Sequence, residues 1–406
     1  MLLRVTGKIW ISYDEGISPS NPPFGKSEVF VAATFDASDV FAIIHTVHLA
    51  HLRLRDFRNY VRLDADFGPG FHLLLGNNAQ GKTNILEAIY LLATLRSFRG
   101  VGSAQMVRHG AKGYFVGASV IGQASREVKM YWSAAERKLA LDGHPVTRLS
   151  DYLGVLRAVA FCTEDLQLVK GAARARRRFF DLLLAQTQPG YLPLLQRYAT
   201  ALRSRNALLK QRTTDEGLLE GFTRELVALG NQLIKARHEL LPRISPLARL
   251  AYRRISNDAE ELRIEYQPSV KEDFAAELAR QRDRERSLRA TLIGPHRDDL
   301  SLLLNDKSAT HFASEGQKRT LAVTLKMAQA EYLTGIHGSP PVLLIDDVMG
   351  ELDLQRRSGL LPLLERTHHA SGQVFMTCTD QNWPRELGRR LQRWEVKAGA
   401  VAAVGG

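Results

Sequence analysis

Cysteine is scarce in this chain of 406 residues: Cys162 and Cys378 are the only two. Two thiols make no disulfide framework, and a thiolate metal site needs a cluster, so a reducing cytoplasmic setting is the simplest reading. Long apolar runs are missing as well. The best stretch, Val29 to Ile44, is broken by Asp36 and Asp39, short of the roughly 18 apolar residues of a membrane helix. Met1 to Trp10 lacks an apolar core followed by a small-residue cleavage site, so no signal peptide is expected. Acidic residues are outnumbered, 43 Asp and Glu against 55 Lys and Arg, for a net charge of +12. That surplus favours an anionic partner, nucleic acid before a membrane surface. What is present is ordinary: 45% hydrophobic and 24% charged residues exclude a disordered or collagen-like chain. The length calls for two lobes rather than one core.

Residues 1–45 carry little pattern beyond a loop at Ser18-Pro19-Ser20-Asn21-Pro22-Pro23. Leu52 and Leu54, then Val61 and Leu63, flank Asp56 to Asn59 and predict two antiparallel strands at a sheet edge. Phe71 to Leu75 predicts a short strand, and Ile85, Leu86, Ile89 and Leu92 a helix. Farther on, Leu219, Phe222, Leu226, Leu229 and Leu233 form a heptad-like seam, predicted to hold to about Leu240. Beyond Ala290 a strand pattern returns and ends in Pro341 to Ile345. The expected organisation is an extension over 1–45, an α/β head over 46–160, a mainly helical lobe over 161–290, and a return to the head over 291–406. No fixed-period repeat is visible.

Gly76-Asn77-Asn78-Ala79-Gln80-Gly81-Lys82-Thr83 fits the phosphate-loop pattern G-x-x-x-x-G-K-[ST] at every fixed position. The glycines permit backbone angles that turn successive N–H groups inward around phosphate oxygens. A helix beginning near Lys82 adds its positive dipole end. Lys82 is expected to reach the β- and γ-phosphates of ATP, and Thr83 to ligate Mg²⁺. A chance match in a chain this long is roughly a one-in-a-hundred event.

Val342-Leu343-Leu344-Ile345-Asp346-Asp347 has the form of a buried strand that delivers carboxylates at its C-terminal end. Asp346 is expected in the Mg²⁺ shell, and Asp347 beside the γ-phosphate, polarising the attacking water. Lys82, Asp346 and Asp347 are therefore the candidate catalytic residues. Taken alone, such a strand is more often plain core. Lys82 and Asp346 stand 264 residues apart (346 − 82), so an insertion divides the site, as in a split ABC-type head. Ser314-Glu315-Gly316-Gln317 resembles the ABC signature S-x-G-Q. Its Ser314, Gly316 and Gln317 would lie at a helix N-terminus suited to an anion. They are expected to face the phosphate loop of a second subunit rather than their own. Gly350-Glu351-Leu352-Asp353 stands where such heads carry a D-loop, with Asp353 as its acid.

Together with Asp56-Phe57-Arg58-Asn59-Tyr60, Glu164-Asp165-Leu166-Gln167-Leu168-Val169-Lys170-Gly171 and Gly294-Pro295-His296-Arg297-Asp298-Asp299, these motifs make the chain resemble the RecF family of bacterial recombination mediators. The likeness runs from about Leu52 to about Gln381. It implies an α/β fold, a split ABC-type (Rad50-like) P-loop ATPase head with an inserted helical second lobe. It implies ATP and Mg²⁺, an ATP-dependent homodimer on DNA, slow DNA-stimulated hydrolysis without nuclease activity, and cooperation with RecO and RecR at gapped DNA. Arg58 and Asn59 are expected to approach the nucleotide from the edge sheet, and Gln167 to be the Q-loop residue that senses Mg²⁺ and γ-phosphate. Three positions depart from the wider ABC pattern. Asp347 replaces a common Glu, Thr379 stands near the place of a switch histidine, and Glu315 replaces a small residue. A shorter carboxylate and no imidazole suit a slow timer better than a fast motor. Residues 1–45 have no counterpart in that pattern. They read either as an appendage or as the product of an upstream start codon chosen in error, which the mass of the native protein decides.

Arg174, Arg176, Arg177 and Arg178 place four arginines in five residues and are the candidate DNA contacts. Such contacts bind phosphate without reading sequence. On a helix they spread over more than one face, so some would meet phosphate and others acids. The arginines between Arg280 and Arg289 are more mixed with acids and read as a solvated face. No recognition helix, aromatic RNA-binding signature or zinc finger is present, so sequence-specific readout is not expected. His296 invites a metal reading, but no second ligand pair lies at useful spacing, and a structural loop joining the lobes is preferred. Three competitors remain. A transporter nucleotide-binding subunit is opposed by the long insertion. A long-armed Rad50-type protein would need hundreds of heptad residues. A non-enzymatic adaptor would be separated by a hydrolysis assay with and without DNA.

Overall fold

Strands covered on both faces need unbroken apolar runs, whereas strands covered on one face alternate. Both kinds occur here, in separate sheets. The computed structural model describes residues 2–5, 8–11, 47–211, 215–256, 260–347, 354–369, 372–379 and 391–404. The chain divides into two units, Met1–Ile43 and Ile44–Gly406. The first contains an antiparallel pair, β1 (Leu2–Val5) and β2 (Lys8–Ile11).

The larger unit opens with β3 (His48–Phe57) and β4 (Tyr60–Asp66), then β5 (Gly70–Leu75) and α1 (Lys82–Thr94). An antiparallel run follows: β6 (Gly113–Ile121), β7 (Ser125–Ser133), β8 (Arg137–Leu141) and β9 (His144–Pro145). β10 (Ala158–Phe161) leads into α2 (Ala173–Thr187), α3 (Tyr191–Leu209) and α4 (Glu216–Ser256). Then come β11 (Leu262–Gln267), α5 (Phe274–Leu288), β12 (Asp299–Leu304) and β13 (Lys307–Ser308). The chain returns through α6 (Glu315–His337), β14 (Val342–Asp346), α7 (Leu354–His369), β15 (Gln373–Cys378), β16 (Leu391–Lys397) and β17 (Ala400–Val404).

The central sheet has the order β10-β14-β15-β5-β16-β17 and is parallel except for β17. Its middle strands are buried without alternation, as in Val342 to Ile345 and Gln373 to Cys378. The second sheet runs β4-β3-β6-β7-β8-β9, all antiparallel. There Leu52 and Leu54 point inward while Arg53 and Arg55 face outward, so β4, not β3, forms the edge. Between the two sheets lies α1, buried from Ile85 to Thr94. Its Ile85, Leu86 and Ile89 share a core with Leu52 and Leu54 on one side and Leu344 and Phe375 on the other. A helix enclosed this way must be apolar nearly all round, and α1 is. The opposite face of the central sheet, with Leu343, Ile345, Val374 and Met376, joins a second core with α6 and the inserted helices.

Two sequence expectations change here. The seam in α4 does not stop near Leu240. It continues through Pro242 and Pro246 to Ile244, Ala248, Ala251 and Ile255, all buried. Packing along α3 and α6 outweighs the ~3 kcal/mol cost of an interior proline. The inserted lobe also carries a sheet: β11 from before residue 290 pairs with β12 from after it, and β12 with β13. This strand group straddles the expected boundary.

Candidate nucleotide-binding site

The loop Gly76–Gly81 joins the end of β5 to the start of α1, and its shape is fixed by its surroundings. Gly76 has φ 144°, and a Cβ there would overlap the Val396 carbonyl of β16. Gly81 has φ 114°, and a Cβ there would fall 2.6 Å from Asn59 Nδ2 and 2.8 Å from the Tyr60 hydroxyl. Both positions therefore demand glycine. Asn59 Nδ2 donates to Gln80 O at 2.9 Å, and Tyr60 OH to Gly81 O at 3.1 Å. From the other side, the Ala398 amide donates to Gln80 Oε1 at 2.7 Å. The edge sheet and the terminal hairpin thus grip the loop between them.

No side chain caps the first turn of α1, so its leading amides keep the free N–H groups that an anion can take. Lys82 is buried, and its ammonium donates to the carbonyls of Gly76 at 2.6 Å and Asn77 at 3.0 Å, which holds the charge inside the loop. Thr83 Oγ1 donates to Asp346 Oδ1 at 2.7 Å across the long sequence gap. The hydroxyl of Thr377, on β15, donates to the same oxygen at 2.9 Å and accepts from the Asp347 amide at 2.9 Å. Burial raises the Asp346 carboxyl above its ordinary value. The Thr83 and Thr377 hydrogen bonds pull it back, and neighbouring Asp347 pushes it up again. A hydroxyl and a half-buried carboxylate oxygen converging beside a phosphate loop are a fitting hard-oxygen pair for Mg²⁺. Asp347 is exposed and adopts φ 54°.

Arg58 lies near the loop, but its guanidinium is committed elsewhere. It makes a two-pronged pair with Glu87 of α1, 2.7 Å at each contact, and donates to Gln105 O at 2.9 Å. Glu87 is fully buried and also accepts from Ser97 Oγ at 2.5 Å. The expected approach of Arg58 to the nucleotide is corrected to a brace behind α1, because a buried carboxylate requires that partner. Asn59 does reach the loop. Gln167 is exposed in the helical turn Gln167–Lys170, with its Oε1 curled against Gly171.

Ser314 and Gln317 stand at the exposed start of α6. Ser314 Oγ accepts from the Gln317 amide at 3.2 Å, while Gln317 Oε1 accepts from the Ser314 amide at 2.6 Å, a capping box. Gln317 Nε2 also donates to Glu260. The serine proton remains available to a further acceptor. Gly316 lies in the same first turn. Asp353 lies outside the described residues.

The arginine cluster splits. Arg176 is buried, pairs with Asp299 at 2.7 and 2.8 Å, and donates to Gly171 O at 2.8 Å. Arg177 donates to Asp298 O at 2.5 Å. The DNA role expected for Arg176 and Arg177 is corrected: both tie α2 to the strand group of the inserted lobe. Arg174 and Arg178 stay exposed. Arg178 reaches over the loop after α1, 3.5 Å from Ser97 O. There it meets Arg96, and burial together with the Arg96 charge lowers its ordinary value. Arg96 bears on Arg137 of β8 in the same sense, after burial. Arg96, Arg137, Arg174 and Arg178 have no acidic partner among the described residues. By contrast, Arg282 pairs with Glu216 at 2.6 Å and Arg280 with Glu272 at 3.1 Å.

The loop Gly294–Asp299 sits inside the inserted lobe. Buried Asp298 accepts from Arg237 Nη1 at 2.9 Å, from the Ser269 amide at 2.8 Å, and from the Tyr266 hydroxyl. His296 Nδ1 lies 2.7 Å from the Tyr198 hydroxyl, and burial pushes the ring down to about 4. No group of His, Cys, Asp and Glu that could hold a metal occurs among the described residues. Sequence reasoning missed Thr377, Glu87, Arg96 and Arg137. Only Thr377 left a trace, since it lies in a second apolar run that pairs in parallel with β14.

A phosphate-loop helix between two sheets, a carboxylate strand reached through an inserted lobe, and an exposed signature helix together define an ABC-type ATPase head. The family described as RecF/RecN/SMC N terminal domain matches residues 48–397. The chain belongs to this family, on its RecF branch. It is 40% identical over 375 residues to the DNA replication and repair protein RecF of Symbiobacterium thermophilum, covering 87% of this chain and 98% of that one. It is 37% identical over 377 residues to RecF of Lactobacillus gasseri, covering 88% and 99%. A solved structure of the recombination mediator protein RecF-ATP in the RecFOR pathway superposes with a TM-score of 0.82 at 30% identity, over 90% of this chain and 99% of that chain. The Smc head domain of Pyrococcus furiosus, at 15% identity and a TM-score of 0.53, shares the fold alone.

Proposed function

We propose that this chain is an ATP-switched DNA-binding protein of recombinational repair and replication-fork maintenance. In this reading two copies close around two ATP molecules, and slow hydrolysis reopens them. One observation carries it. A single molecule holds a finished phosphate half, gripped on two sides, and a signature half that faces solvent. Lys82 and the α1 amides would hold the β- and γ-phosphates, and Thr83 and Asp346 would hold Mg²⁺. When bound, that cation neutralises charge building on the transferred phosphoryl group. Asp347, anchored through its amide to Thr377, would orient the attacking water. Ser314 would donate its free proton to the γ-phosphate of the other copy. ATP therefore favours the closed pair because only the triphosphate touches both halves.

The exposed arginines Arg96, Arg137, Arg174 and Arg178 favour a phosphodiester backbone as the second ligand, bound without sequence choice. Likeness to proteins of the RecFOR pathway supports RecO and RecR as partners, and gapped DNA is the substrate we propose. Cys162 and Cys378, buried and in no disulfide, favour the reducing cytoplasm. No helix among the described residues is long and apolar enough to cross a membrane. The reading is tested by measuring ATP turnover with and without duplex and gapped DNA. Slow turnover, raised by DNA and lost in Asp347→Asn, is the expected result. Many turnovers per second without DNA would overturn the slow switch.

A further inference from the structure

Among the described residues Phe312 is the most exposed large hydrophobic side chain, at 73%. It ends the helical turn Ala309–Phe312 and stands two residues before Ser314. Among the described residues its ring neighbour is the adjacent His311, with centroids 6.4 Å apart. A phenylalanine left in water forgoes a large transfer free energy, so a residue this bare calls for an explanation. Its position supplies one. Two residues of extended chain span roughly 7 Å. If Ser314 donates to a γ-phosphate on a second copy, Phe312 lies within about 7 Å of that point of contact. Aromatic side chains at the centre of an interface are the usual energetic anchors. Other exposed large apolar residues lie away from Ser314, among them Val61 on the edge strand β4, Leu218, Leu250 and Leu288 on the inserted helices, and Ile336 at the far end of α6.

We propose that Phe312 is an anchor of the ATP-closed homodimer, packed against the phosphate-loop face of a second copy of this chain. The inference rests on the dimer reading and extends it, because it assigns the second copy a contact that the nucleotide does not mediate. In a twofold pair the contact is made twice, so its loss is felt twice. Phe312 belongs to the signature half and not to the phosphate half, so single-copy ATP binding is independent of it.

The test is sedimentation equilibrium with a non-hydrolysable ATP analogue and Mg²⁺, comparing the wild type with Phe312→Ala, Leu288→Ala and Ser314→Arg. Phe312→Ala is expected to weaken dimerisation by about a hundred- to ten-thousandfold, the square of the ten- to hundredfold loss for one buried phenyl ring, with nucleotide affinity of the monomer unchanged within about twofold. Leu288→Ala is expected to dimerise like the wild type. If Ser314→Arg fails to dimerise while Phe312→Ala dimerises normally, the anchor is refuted and the dimer stands. If the wild type stays single, both are refuted.

Discussion

The two halves of the proposed nucleotide site are built in opposite ways. The phosphate half, Gly76–Thr83, is set between two sheets. Its glycines are forced by Asn59, Tyr60 and Val396, and its threonine is already joined to Asp346. The signature half, Ser314–Gln317, is an exposed helix start that satisfies itself with a capping box. The first half needs nothing from another chain to hold its shape. The second, in the proposed reading, acts on another chain. The difference teaches where rigidity matters. Chemistry needs a preorganised cradle, whereas a part that must engage and let go is best kept on the surface with its own fold complete.

The comparison can be broken from either side. Lys82→Arg is the largest expected effect. Hydrolysis falls by about two to three orders of magnitude, the typical loss for one preorganised donor, while some nucleotide binding and the ATP-induced dimer persist. Single-turnover kinetics would read this, and loss of binding in proportion to hydrolysis would contradict it. Ser314→Arg should do the reverse. ATP binding by one copy stays within about twofold, and dimerisation weakens by at least about a hundredfold, since the added side chain fills the contact. Isothermal titration and mass measurement together separate these outcomes.

A similar contrast sharpens the arginine cluster. Arg176→Ala strands Asp299 and should lower stability by about 3 kcal/mol, seen as a shifted urea midpoint. Arg174→Ala should leave that midpoint within about 0.5 kcal/mol. It should instead lower the slope of log affinity for duplex DNA against log salt by about 0.9, the share of one neutralised phosphate. Equal effects on folding would sink the division. A last effect concerns pH and is felt only in acid. Burial pushes His72, packed between the sheets, down to about 4. A base with a lowered folded value contributes stability that is full above about 6.5 and is lost as pH falls toward 4, at most about 3 kcal/mol here. His72→Gln should flatten that part of the unfolding profile. An unchanged profile would show that the ring does not titrate so.

Much of this could be read from the sequence because the chemistry is local. The phosphate loop, the carboxylate strand and the signature are each a short contiguous stretch, and their spacing declared the insertion. What could not be read depends on which acids come close in space. Arg174 and Arg176 differ by two positions and nothing in composition, yet Asp299 lies 123 residues from Arg176. Arg58 looked like a nucleotide contact until Glu87, on a helix that otherwise reads as pure core, required it. The sequence predicts that the seam in α4 ends near Leu240, but the helix runs on through Pro242 and Pro246 to Ser256, because packing against α3 and α6 is set by residues distant in sequence.

The central claim is that a second copy completes the site. Static light scattering at saturating ATP and Mg²⁺, using Asp347→Asn to suppress hydrolysis, tests it most directly. The account predicts twice the 45.4 kDa of one chain with ATP, and one chain's mass with ADP or after Ser314→Arg. A single-chain mass with ATP, with and without DNA, would contradict it.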